Sequence, residues 1–128
     1  MPNPWRDTAA TLDPDAARRL FLCAAATLAV HQAQEALVAR EAIPIRTAAL
    51  GALLAGSIAV TRLPPRAMGI VAVVMGAGPT FGAFAGHLVP LVRHGHATPA
   101  SETALLNLGG GVLMLAVGLA LLRRRAAD

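Results

Sequence analysis

The residues able to do chemistry in this chain are few, and most are histidine. His31 and Glu35 stand one helical turn apart, with Thr27 and Gln34 close by in sequence. At 100° per residue these four side chains fall within an arc of roughly 100°, so a helix presents them as one polar stripe. An imidazole beside a carboxylate can exchange a proton or hold a cation. His87 is the single titratable side chain in the uncharged run 67–92, and Thr80 and Asn107 add hydrogen-bonding groups. His94 and His96, separated by Gly95, form a further pair able to bind copper or zinc, with His87 or Glu35 completing the set. His31 and His87 are alternatively the two axial ligands of a b-type haem. The plainest role for the same residues is architectural: Glu35 reaching the interface beside Arg40 or Arg46, Asn107 and Thr80 joining helices by hydrogen bonds, and His87 bonding Glu35 or a carbonyl.

These side chains sit in a chain built for a bilayer. Hydrophobic residues make up 55% of the 128 residues and charged ones 14%, against about 25% charged in soluble domains. That deficit leaves too little polar surface for a water-soluble globule. The net charge of +4 comes from eleven arginines placed at the ends of apolar runs, and aromatic residues are 3% of the chain. A nucleic-acid surface needs a basic stripe and stacking platforms, so nucleic acid is not an expected partner. Cys23 is the single cysteine, which excludes an intrachain disulfide. Arginine as the sole basic type, beside abundant alanine, fits a GC-rich genome, and the expected location is a bacterial cytoplasmic membrane.

The expected fold is an all-α integral membrane bundle of four transmembrane helices with short loops. Residues 1–15 form a polar tail. Spans are predicted at about 16–39, 45–62, 67–92 and 103–122 within a membrane domain of residues 16–125, and the basic tail 123–128 follows. Asp13 and Pro14 suit the cap and first position of a helix, and Thr98 and Pro99 repeat that pattern before the fourth span. Pro64 and Pro65 turn the chain after the second. In the third, Gly78, Gly82 and Gly86 share one side, suited to close backbone approach, while Gly76, Thr80 and His87 lie roughly opposite. Packing demands on both sides make this the expected central helix, with Pro79 expected to kink it.

Arginine placement orients the bundle. Four spans put Arg6, Arg18, Arg19, Arg62, Arg66, Arg123, Arg124 and Arg125 on one side and Arg40, Arg46 and Arg93 on the other. The positive-inside bias then places both termini in the cytoplasm. Arg46 and Arg62, bounding a short second span, are expected to snorkel to the interface. Arg18-Arg19-Leu20-Phe21-Leu22 also resembles the core of a twin-arginine export signal, which implies a cleavable first span as the rival arrangement.

With four spans, Glu35 lies about 6 Å from the outer end of its helix, His87 about 7 Å and Asn107 about 6 Å, at 1.5 Å per residue. His31, Gln34, Glu35, Thr80, His87 and Asn107 are therefore expected to form a polar cluster, most of it in one layer of the outer half. The leading expectation is a small transport or accessory subunit working through that cluster, as a homo-oligomer or within a larger membrane complex. The alternative is a metal- or haem-binding membrane protein using His31, His87, His94 and His96. No serine or cysteine nucleophile motif and no His-Glu-x-x-His motif is present, so no reaction is named and an enzyme is not expected.

Overall fold

The computed structural model describes residues 12–40, 42–95 and 103–124, and among these every regular element is helical. Helix α1 runs Pro14–Gln34 and continues through a π-helical turn, Glu35–Ala39. Helix α2 is Ile43–Val60. Helix α3 is Pro65–His94, thirty residues with a π turn at Phe84–Leu88. Helix α4 is Ala104–Arg123. Three of them, α2, α3 and α4, are long and apolar enough to cross a membrane. In α1 the paired arginines at one end and the polar residues His31 to Glu35 at the other offset its apolar middle.

Local chemistry explains the boundaries, which differ from expectation by one or two residues. Asp13 caps α1 as anticipated, its carboxylate accepting from the backbone N–H of Asp15 and Ala16 at 3.1 and 3.0 Å. Pro14 takes the first helical position, where a missing N–H costs nothing. Pro65 does the same for α3, which starts earlier than the predicted 67. Its far end passes the predicted 92 and stops at Gly95, whose left-handed φ of 69° closes the helix with an N–H bond to the Leu91 carbonyl. Thr98 and Pro99, expected to start the last helix, lie outside the described residues.

The helix at the centre is α4, not α3. Of the most apolar stretch of the three span-length helices, 39% is buried in α4, 28% in α3 and 17% in α2. The reason is the pair Gly110-Gly111, which admits a neighbour on each of two sides. A Cβ on Gly110 would come within 2.7 Å of Thr27 Oγ1 and 3.1 Å of the Ala24 carbonyl of α1. One on Gly111 would come within 2.8 Å of Thr80 N and 3.1 Å of the Gly76 carbonyl of α3. Two turns along, Gly118 meets Gly69 in the same way. Gly69 and Gly76 thus face Gly118 and Gly111 in an antiparallel seam where backbone touches backbone.

The expected ladder of Gly78, Gly82 and Gly86 is not that seam. All three are exposed, and a Cβ on any of them would meet nothing within 4 Å. A stretch with glycine on two faces cannot say which face a neighbour will take; the matching pair on α4 decided it.

Helix α1 buries Ala17, Phe21, Ala24, Leu28, His31 and Glu35 at alternating three- and four-residue spacing, with Ala24 and Leu28 against Gly110 of α4 and Phe21 toward Gly56 of α2. One face therefore changes from apolar to polar along its length. At the apolar end Arg18 secures α2, donating from Nε to the Val60 carbonyl and from Nη2 to that of Leu63, both at 3.2 Å. The Val60 carbonyl is one that the end of α2 leaves without an internal partner, and that of Leu63 belongs to the turn that follows.

Candidate functional site: a buried His–Glu–Arg cluster

The polar end of the α1 stripe is where the chemistry collects. His31 is fully buried and Glu35 is 1% exposed. Around Glu35 converge one side chain from each of three helices. His31 Nε2, from one turn earlier on α1, lies 3.3 Å from Glu35 Oε1. His87 Nε2, from α3, lies 3.3 Å from the same oxygen. Arg46 Nη2, from the first turn of α2, lies 2.5 Å from Oε2. The two imidazole rings meet edge to face, with centroids 5.5 Å apart and planes at 87°.

Close approach has not produced hydrogen bonds. Neither oxygen of Glu35 has a hydrogen-bond partner of acceptable geometry, and His31 Nε2 has none either. Even the Arg46 contact is an ion pair whose N–H groups are not aimed at the carboxylate. Arg46 instead donates from Nη1 to Gln32 Oε1 at 3.1 Å. His31 is held from its other side: Nδ1 is 2.7 Å from Thr103 Oγ1. Thr103 occupies the position before α4 where a threonine usually caps its own helix, and no capping bond is made there. Its hydroxyl is committed to His31.

Both π turns lie at this site. Glu35 opens the turn Glu35–Ala39, closed by the Arg40 N–H on the Glu35 carbonyl, and His87 sits inside Phe84–Leu88. Each wide turn shifts the register of the residues after it by part of a turn, which re-aims side chains; such turns are frequent at functional sites. Next to the first, Arg40 and Ala42 hold left-handed backbone at φ 52° and 47°. For a non-glycine residue this costs roughly 1–2 kcal/mol each, so strain is stored beside the cluster.

The anticipated residues separate into a centre and a periphery. His31, Glu35 and His87 come together. Gln34 is half-buried, and its Oε1 is enclosed without a partner. Asn107 is 4% exposed and its Oδ1 is likewise unpartnered; it lies one turn beyond Thr103 on α4. Thr80 bonds its own helix, donating to the Gly76 carbonyl at 2.8 Å, and belongs to the glycine seam. His94 stands exposed at the end of α3, seven residues past His87, and His96 lies outside the described residues. The described groups able to ligate one ion are thus His31, Glu35 and His87, whose ligating atoms all lie within 4.8 Å of one another.

Arg46 takes the inward one of its two expected roles, pairing with Glu35 rather than snorkelling outward. One member escaped sequence reasoning: Gln32, off the polar arc, is the glutamine that is 6% exposed and bonded to Arg46. As for haem, the two rings already meet edge to face over one carboxylate oxygen, which leaves no slot between them for a porphyrin. A cavity of about 170 Å³ between Leu28, Leu53, Met75 and Pro79 is mostly apolar, and Gln32 is its polar lining residue.

No protein-family model, curated protein or solved structure matches the chain.

Proposed function

We propose that this protein is a small four-span membrane transport or accessory subunit, termini in the cytoplasm, whose working site is a cation-binding cluster centred on Glu35. The observation that carries this is the state of Glu35. Buried polar groups are normally hydrogen-bonded. Here a carboxylate that is 1% exposed has no hydrogen bond on either oxygen, while two imidazole nitrogens and a guanidinium crowd it. A residue retained only to join helices gains by making its bonds. A residue that exchanges partners gains by keeping them loose.

The fourth span is supported by length and packing. Helix α1 with its π turn covers 26 residues, 14–39, about 39 Å at 1.5 Å per residue. Phe21 of the twin-arginine-like stretch is fully buried, and Arg18 is bonded to the end of α2, so α1 acts as a working part of the bundle. A charged cluster in a bilayer is expensive and as a rule faces the bundle interior, as Glu35 does. The apolar, exposed outer faces of α2 and α3 suit lipid and a second copy or a larger membrane complex.

Reconstitution tests the reading. Cation flux into proteoliposomes should be carried by the wild type and reduced at least tenfold in Glu35→Gln. Flux that survives this substitution sinks the proposal.

A further inference from the structure

Resting on that reading, we infer that the cation is a first-row divalent transition metal of the zinc class, bound by His31 Nε2, His87 Nε2 and Glu35 Oε1, and that Arg46 competes with it for the carboxylate.

The first argument is distance. Two ligands each 2.0–2.2 Å from a tetrahedral ion lie about 3.3–3.6 Å from one another. Both Nε2–Oε1 separations are 3.3 Å, and all three ligand atoms lie within 4.8 Å of one another. The two 3.3 Å separations match the edge of a coordination tetrahedron, and they are long for a charge-assisted hydrogen bond, which closes to about 2.7–2.9 Å.

The second argument is the tautomer. A histidine that binds metal through one ring nitrogen generally donates its other N–H to an oxygen, which fixes ring and tautomer. His31 Nδ1 meets Thr103 Oγ1 at 2.7 Å. The contact suits an Nδ1–H donated to the hydroxyl, the tautomer that turns the His31 Nε2 lone pair toward Glu35 Oε1. Two buried acceptors in that arrangement favour a positive species at the pair, which Arg46 supplies beside the carboxylate when no metal is bound. Imidazole with carboxylate is a donor set for zinc, copper, iron or nickel, whereas calcium and magnesium take oxygen ligands.

The third argument concerns charge. Glu35 and Arg46 compensate each other without metal. A divalent ion on Oε1 brings two positive charges close to the guanidinium, where repulsion is weakly screened. Arg46 keeps a side-chain exposure of 25%, so it has room to withdraw. Arg46 then holds the metal-free carboxylate and weakens metal binding when it stays.

The test uses the full chain, purified in detergent without a histidine tag, stripped with chelator and titrated with Co²⁺ and Zn²⁺. The expected result is one equivalent of Co²⁺ with the intense visible absorption of a tetrahedral nitrogen–oxygen site, displaced by Zn²⁺. His87→Gln and Glu35→Gln should each weaken binding at least tenfold. His94→Ala with His96→Ala should leave it within twofold. Arg46→Met should tighten binding at least fivefold, and Arg46→Lys, which keeps the charge, should not. His87 has some side-chain exposure, 12%, so its variant is the one expected to fold without loss; an unchanged helical circular-dichroism spectrum checks this.

Absence of Co²⁺ uptake by the wild type overturns the metal inference, as does uptake unaffected in His87→Gln and Glu35→Gln. Weaker binding in Arg46→Met overturns the competition. No metal uptake together with Glu35-dependent flux would sink this inference and leave the broader cation reading standing. Metal uptake without Glu35-dependent flux would uphold the inference and sink the transport reading.

Discussion

The two ends of helix α3 are built on opposite principles. From Gly69 to Thr80 it lies against α4 with backbone touching backbone, and any added atom on the inner face would collide. From Phe84 to His94 it has no buried residue, begins with a π turn, and contributes the one side chain, His87, that reaches the cluster. One end is defined by shape, the other by charge. In a bilayer apolar side chains gain little by leaving lipid, so close packing is what holds helices together. The seam supplies that, and it frees the other end to carry polar groups whose bonds are left unmade.

Substitutions can break this contrast. The largest effect is expected at the seam. Gly76→Ala would set a Cβ 2.7 Å from the Gly111 carbonyl and 2.8 Å from Leu115 N, both backbone atoms that cannot turn aside. A loss of about 3 kcal/mol is expected, measured as a lower thermal midpoint in detergent. If the midpoint holds, the seam is not what joins α3 to α4.

The next effect falls at the cluster. Arg46→Met leaves Glu35 buried without its counter-charge. Breaking a buried pair costs about 3–5 kcal/mol, and the partial exposure of Arg46 lowers this to about 2 kcal/mol. Addition of Zn²⁺ should restore part of the thermal midpoint, since a ligand that binds only the folded state stabilises it. A midpoint indifferent to Zn²⁺ would separate the cluster from metal.

A smaller change in stability should come with a complete change in the site. Deleting Ala85 removes the extra residue of the Phe84–Leu88 turn and restores α-helical register. His87, inside that turn, is then re-aimed by part of a turn relative to Glu35, while the residues past the turn keep their direction. Because nothing from Phe84 onward is buried, stability should fall by no more than about 1 kcal/mol, while Co²⁺ absorption is lost. Retained absorption would show that the π turn does not position His87.

The smallest effect is expected on the open glycines. Gly82→Ala meets nothing within 4 Å, and alanine is the better helix former by roughly 0.5–1 kcal/mol. The thermal midpoint should stay or rise slightly. A clear fall, with a change of oligomeric state on size exclusion, would show that Gly78, Gly82 and Gly86 pack against a second chain.

The four helices were legible in the sequence because each local signal is strong: uncharged runs, Asp13 and Pro14 at a start, Pro64 and Pro65 at a turn. His31 and Glu35 were legible as a pair because a helix puts residues four apart on one face whatever surrounds it. His87 was expected to join them on depth alone. Its orientation was not legible, since a π turn shifts register without a distinct residue signature.

What only the tertiary structure decided is which of two equivalent choices each helix makes. α3 carries glycines on two faces, and the partner glycines of α4 selected Gly69 and Gly76 over Gly78, Gly82 and Gly86. Arg46 had two partners open to it, water at the interface and Glu35; the short loop from α1 brings the carboxylate within reach. Thr103 could cap its own helix or bond His31, and the packing of α1 against α4 supplied the imidazole. Sequence thus determined the elements and the inventory of polar groups, because those depend on local spacing. Packing determined the pairings, because each depends on an atom from a different helix.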